Sequence, residues 1–94
     1  PAEGVYGVVC EWGGQHYRAM VNIGRNPTFK NQQMSIEAHL LGFNGDLYGE
    51  TLRMYFLHRL RDELTFGSVN DLKEQLQKDQ KSTEAMSVPR YYSL

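Results

Sequence analysis

A chain of 94 residues, 40% of them hydrophobic and 22% charged, is long enough for one small domain with a single core and too short for two. The net charge of -1 offers no basic block to attract nucleic acid or an anionic membrane, and Cys10, the only cysteine, excludes an internal disulfide and a cysteine-held metal cluster. No apolar run approaches the roughly 20 residues needed to span a bilayer, and Pro1-Ala2-Glu3-Gly4 lacks a signal peptide's regions, so a reducing cytoplasm is expected. Without an initiator methionine, the chain reads as a piece of something longer.

In chain order, Val5 to Trp12 is β-branched and aromatic, Gly13-Gly14 is a turn signal, and Gln15 to Ile23 resumes the strand pattern, which predicts a β-hairpin. Gly24 to Gln33 contains glycine, proline and polar residues and predicts a loop, long for a hairpin connection and therefore a place for function. From Met34 to Leu41, strict alternation sends Met34, Ile36, Ala38 and Leu40 to one face and Ser35, Glu37, His39 and Leu41 to the other. A glutamate inside an apolar strand either faces open water or has chemical work to do.

Gly42 to Gly49 is a turn-rich connection containing Asn44-Gly45. Thr51 to Leu60 then alternates again, with Leu52, Met54, Phe56, His58 and Leu60 opposed to Thr51, Arg53, Tyr55, Leu57 and Arg59, which predicts a strand packed on both sides. After Phe66 the period changes. Ser68 with Asp71 forms a capping box, Val69, Leu72 and Leu76 form a stripe, and the helix is expected to reach about Glu84 and stop before Pro89. The aromatic tail from Val88 to Leu94 is suited to docking, at a place its sequence does not specify. Four strands followed by one helix predict a mainly β domain over residues 1–94: a small antiparallel barrel in 1–67, then helix and tail in 68–94.

Glu37 and His39, two apart on one strand face, suit a general base with a polar neighbour, or two metal ligands. A solvated strand face accounts for the same pattern. Neither a Walker nor a Rossmann glycine pattern is present, so a phosphate site would have to use irregular loops.

The ordered set Gly4-Val5-Tyr6, Asn22-Ile23-Gly24 with Asn26-Pro27-Thr28-Phe29, Glu37-Ala38-His39-Leu40-Leu41, Asp46-Leu47-Tyr48-Gly49 and Leu60-Arg61-Asp62-Glu63 with Phe66 resembles the riboflavin kinase family. It is most similar to the C-terminal kinase module of the bacterial bifunctional riboflavin kinase and FAD synthetase. The resemblance implies a Greek-key barrel, here incomplete at its N-terminus, that transfers the γ-phosphate of ATP to the 5′-hydroxyl of riboflavin to give FMN. It implies Glu37 as catalytic base and His39 as a supporting neighbour. It further implies Asn22, Arg25, Asn26, Thr28 and Tyr48 on the nucleotide and phosphate side, and Arg61, Glu63 and Phe66 on the flavin side.

The family's Pro-Thr-Ala-Asn motif, which binds Mg2+ and the ATP phosphates, is absent from this chain, so no metal ligand is expected within it; those residues are expected upstream of residue 1, together with an adenylyltransferase domain. Two other readings stand beside this one. One is a flavin-binding barrel without chemistry. The other is an oligonucleotide-binding barrel stacking bases on Tyr6, Trp12, Tyr17 and Phe29, against which the charge argues.

Overall fold

The computed structural model describes residues 2–27, 32–92 and 94, without the side chains of Asn26, Pro27 and Gln32. Four strands, β1 (Gly4–Trp12), β2 (Gln15–Pro27), β3 (Gln32–Leu40) and β4 (Arg53–Arg61), precede one helix, α1 (Val69–Ala85). The sheet is antiparallel with the order β3-β2-β1-β4, so the fourth strand returns to lie beside the first. That is Greek-key connectivity. The sheet is open, with β3 and β4 at its edges and no pairing between them among the described residues.

Two glycines with positive φ, Gly13 at 58° and Gly14 at 76°, make the β1–β2 turn, a backbone path that a side chain would strain. The segment Gly24 to Gln33, expected to be a loop, is largely strand. Gly24 to Pro27 pairs with Gln32 to Ser35, extending both strands beyond the reach of their apolar alternation. Backbone pairing continues there without a hydrophobic face to announce it.

β4 also departs from strict alternation. Its register against β1 shifts between Val5 and Tyr6 and between Gly7 and Val8, so His58 lies opposite Gly7 and Arg59 opposite Tyr6. The shift moves His58 to the helix-bearing face and Arg59 to the other, where its guanidinium lies 6.0 Å from the Tyr6 ring centroid. The two slips together restore the phase, and Arg61 faces Val5.

Although Met34 and Ile36 on the β3 edge stay exposed, both faces of the sheet carry packed side chains. On one, Tyr6, Val8, Cys10, Ala19, Val21 and Ile23 form the core, with Leu40, Leu52 and Met54 against it. The β3–β4 connection closes one end of that core by packing Phe43 edge-on to Trp12 and Tyr17, at 5.7 and 5.5 Å between centroids. Tyr6 is itself buried against Phe56, so these three rings, offered above as stacking platforms, serve internal packing. Phe29 lies outside the described residues.

On the opposite face α1 lies over Val5, Gly7 and Val9. A side chain at Gly7 would overlap the Met86 sulfur, so glycine allows the helix end to approach the sheet closely. Ser68 caps the helix by accepting from the Asp71 amide at 3.1 Å, as the capping box predicts. The helix has no basic residue in its last turn, and Arg18 of β2 substitutes by donating to the carbonyls of Thr83 at 3.1 Å and Met86 at 2.7 Å. The tail docks beyond the helix end, where Tyr92 packs against His16, Tyr55 and Tyr91.

Candidate active site

Register builds the site. Arg61 lies opposite Val5, Val5 opposite Asn22, and Asn22 opposite Glu37, so four residues from four strands form one row on the helix-bearing face. Alternation then places Met20 and His39 in the neighbouring row. The helix supplies the facing wall with Leu72, Leu76 and Asp79. Between them lies a cleft of about 400 Å3.

A hollow of similar size, about 410 Å3, lies under the tail at Leu57, His58 and Ser87 to Pro89. Its single ionisable side chain, His58, is already hydrogen-bonded to the Ser87 carbonyl at 3.0 Å. Chemistry therefore selects the cleft holding Glu37. This carboxylate is exposed and has no hydrogen bond or ion pair among the described residues, which leaves it available to a ligand.

Arg61 is differently placed. Its Nε donates to both carboxylate oxygens of Asp79 at 2.9 and 3.1 Å, its Nη2 donates to Oδ2 at 2.8 Å, and its Nη1 donates to the Asp62 carbonyl at 3.0 Å. Gln75 adds a fourth bond to Asp79 at 3.0 Å. Asp79 is only 3% exposed and would be costly to bury without these partners. The Arg61 guanidinium thus fastens the helix to the sheet at the cleft floor, and its charge is already matched.

A second, shallower cleft of about 250 Å3 lies against the β3–β4 connection, bordered by Ala38, His39, Leu40, Phe43, Gly45 and Leu47. Ala38 and His39 belong to both clefts, which therefore meet at the β3 edge one residue from Glu37.

Of the residues singled out in the sequence, Glu37, His39, Asn22 and Arg61 come together in the larger cleft. Glu63 lies nearby, its carboxylate resting on the buried Gly24, where any side chain would overlap it. Phe66 is partly buried in the segment before the helix. Arg25 falls on the other face and is paired with Glu3 at 2.5 Å, while Tyr48 is 95% exposed, its amide held by Asp46 at 2.8 Å. The side chain of Asn26 and all of Thr28 lie outside the described residues.

Sequence reasoning did not name Asp79 as a site residue. Its signal was available: Asp79 follows Leu72 and Leu76 on the same helical stripe, where an aspartate must find a buried partner. The described residues do not fit a resident magnesium site, since no group of three or more His, Cys, Asp or Glu side chains converges among them.

The family described as Flavokinase: Riboflavin kinase matches residues 1–87. The chain belongs to the riboflavin kinase family. It is 38% identical over 96 residues to the bifunctional riboflavin kinase/FMN adenylyltransferase of Bacillus subtilis (strain 168), covering 99% of this chain and 29% of that protein. The corresponding protein of Listeria monocytogenes is 40% identical over 86 residues, covering 90% of this chain and 27% of the relative. The riboflavin kinase module thus spans under a third of these bifunctional relatives. A crystal structure described as a macrolide-efflux protein from Streptococcus pneumoniae superposes with a TM-score of 0.86 at 44% identity, over 93% of this chain and 29% of that one. No helix among the described residues of this riboflavin kinase module is long and apolar enough to cross a membrane.

Proposed function

We propose that the full-length protein uses this module to phosphorylate the 5′-hydroxyl of riboflavin with ATP, giving FMN and ADP, with Glu37 as the general base and with phosphate-binding residues expected upstream of this chain. The observation that carries the reading is the position of Glu37: a carboxylate with no partner among the described residues, in the larger cleft and one residue from the place where the two clefts meet.

The larger cleft combines the apolar side chains Val5, Leu72 and Leu76 with the polar side chains Asn22, Glu37 and His39, which suits a flat heteroaromatic ring carrying a hydroxylated chain. The smaller cleft receives the nucleotide and directs its γ-phosphate across the β3 edge. The ribityl hydroxyl oxygen attacks the γ-phosphorus, and a new P–O bond forms as the bond to the β,γ-bridging oxygen breaks and ADP leaves. The hydroxyl proton passes to the Glu37 carboxylate and from there to water. A primary hydroxyl is a weak nucleophile, so a positioned acceptor for its proton contributes about 10²–10⁴-fold to the rate. Alignment of the two substrates across β3 contributes further.

His39, shared by both clefts, steadies this junction, and the Glu63 and Phe66 segment flanks the flavin side. Arg61 serves the flavin indirectly, by holding α1 over the sheet. The full-length protein is proposed to carry an adenylyltransferase domain as well, which its bifunctional relatives support, and to act in the cytoplasm, where ATP is supplied.

The test is FMN formation by the full-length protein with Glu37→Gln. The amide keeps the size of the side chain and cannot accept the proton, so kcat is expected to fall about 10²–10⁴-fold with the KM for riboflavin little changed. Wild-type turnover in this variant would remove Glu37 from the mechanism, and it is also what a flavin-holding module without chemistry requires.

A further inference from the structure

Asn22 has a role that the resemblance does not give it. Its Oδ1 is buried and has no hydrogen-bond partner, and the side chain has no other partner among the described residues. An unmatched buried amide is a cost that a folded protein seldom retains without a use. Asn22 borders the cleft, directly opposite Glu37 in the β2–β3 register. Directly paired residues on one face have Cβ atoms about 4.5–5.5 Å apart, so one small group can meet both side chains.

The charges around this amide select its ligand. Glu37 is a carboxylate in the same row, while Asp79 and Arg61 cancel as an ion pair. Among the described residues that line the cleft, this leaves the Glu37 carboxylate as the unmatched charge, which disfavours phosphate beside it. A neutral hydroxyl suits it better. A hydroxyl both donates and accepts, so it can meet whichever amide atom faces the cleft; turning the amide brings the buried Oδ1 there and breaks no bond among the described residues.

We propose that Asn22 binds the ribityl hydroxyl adjacent to the one that Glu37 deprotonates, placing it on the flavin side and not the nucleotide side. This rests on the riboflavin kinase reading and deepens it. Neighbouring hydroxyls of a polyol chain match the cross-strand pair, one to each side chain. Holding the penultimate hydroxyl fixes the end of a chain that would otherwise rotate freely, and so keeps the terminal hydroxyl within hydrogen-bond reach of Glu37 with an oxygen lone pair free to face the second cleft.

The experiment titrates the full-length protein with riboflavin, 4′-deoxyriboflavin and lumiflavin, which has no ribityl chain, following flavin fluorescence. In wild type, riboflavin is expected to bind about tenfold more tightly than the 4′-deoxy analogue, the size of one hydrogen bond. Asn22→Val is expected to abolish that difference, leave lumiflavin affinity unchanged, and raise the melting temperature of the unliganded protein by removing an unmatched polar group. Asn22→Ser, which retains a hydroxyl, is expected to recover part of the difference and provides a milder substitution should the valine impair folding.

A difference that persists in Asn22→Val overturns the proposal, as does equal weakening of all three ligands. A lower melting temperature also overturns it, by showing that Asn22 is structurally satisfied. If the wild type binds none of the three flavins, the kinase reading itself fails, and that outcome is distinct from either of the others.

Discussion

Replacing Asp79 with alanine tests whether the helix is fastened to the sheet by its buried ion pair. Asp79 is 3% exposed and receives three hydrogen bonds from Arg61 and one from Gln75. In Asp79→Ala the Arg61 guanidinium, whose side chain is 17% exposed, keeps only its bond to the Asp62 carbonyl. Breaking a buried pair from one side costs about 3–5 kcal/mol, and the partial access of Arg61 to water places this case near the lower end, at about 3 kcal/mol. Domains have only about 5–15 kcal/mol to lose, so the melting temperature of this small module is expected to fall by more than about 10 °C.

Urea unfolding followed by circular dichroism and by the fluorescence of Trp12, the single tryptophan, measures the loss. The double variant Arg61→Leu with Asp79→Leu exchanges the pair for apolar contact and is expected to recover most of the stability. A cost below about 1 kcal/mol for Asp79→Ala, or a double variant whose cost is the sum of the two single losses, would refute the reasoning, because a fully formed buried pair must couple its members.

Two further outcomes follow from the packing. Arg18→Gln is expected to cost about 1.5–3 kcal/mol by removing a charged donor from two carbonyls at the helix end, with Arg18→Lys recovering only part, and thermal melts measure both. Cys10 is 0% exposed and burial raises its thiol above the ordinary value of 9.0. The fold therefore favours the protonated thiol, so its contribution is fully present below pH 9 and is lost as pH rises beyond it. Alkaline melts of wild type and Cys10→Ala are expected to converge as the pH passes that value, and native Cys10 is expected to resist alkylation until the protein unfolds.

Most of the fold was legible because its signals are local. Gly13-Gly14 marked the hairpin, the Ser68 box marked the helix start, and the alternation around Glu37 put that residue with His39 on one face. What escaped depends on partners distant in sequence. Nothing local distinguishes Asn22, beside Glu37, from Arg25, which lies on the reverse face and is paired with Glu3. The exchange of His58 and Arg59 between faces required a register shift against β1, and Arg61 was legible as a site residue but not as the partner of Asp79. The family resemblance suggested the role proposed for Glu37, while the register against β2 supplied its neighbour.

The helix is held unevenly along its length. Asp79, Thr83 and Met86 are buried and tied to Arg61 and Arg18, whereas Val69, Leu72 and Leu76 are 68%, 38% and 44% exposed. Its C-terminal half is therefore a post set in the sheet, while its N-terminal half, carrying Leu72 and Leu76 along the cleft, has the weaker hold. Local opening of α1 is expected to begin at that end, and amide exchange faster at Leu72 than at Thr83 is the outcome that checks it.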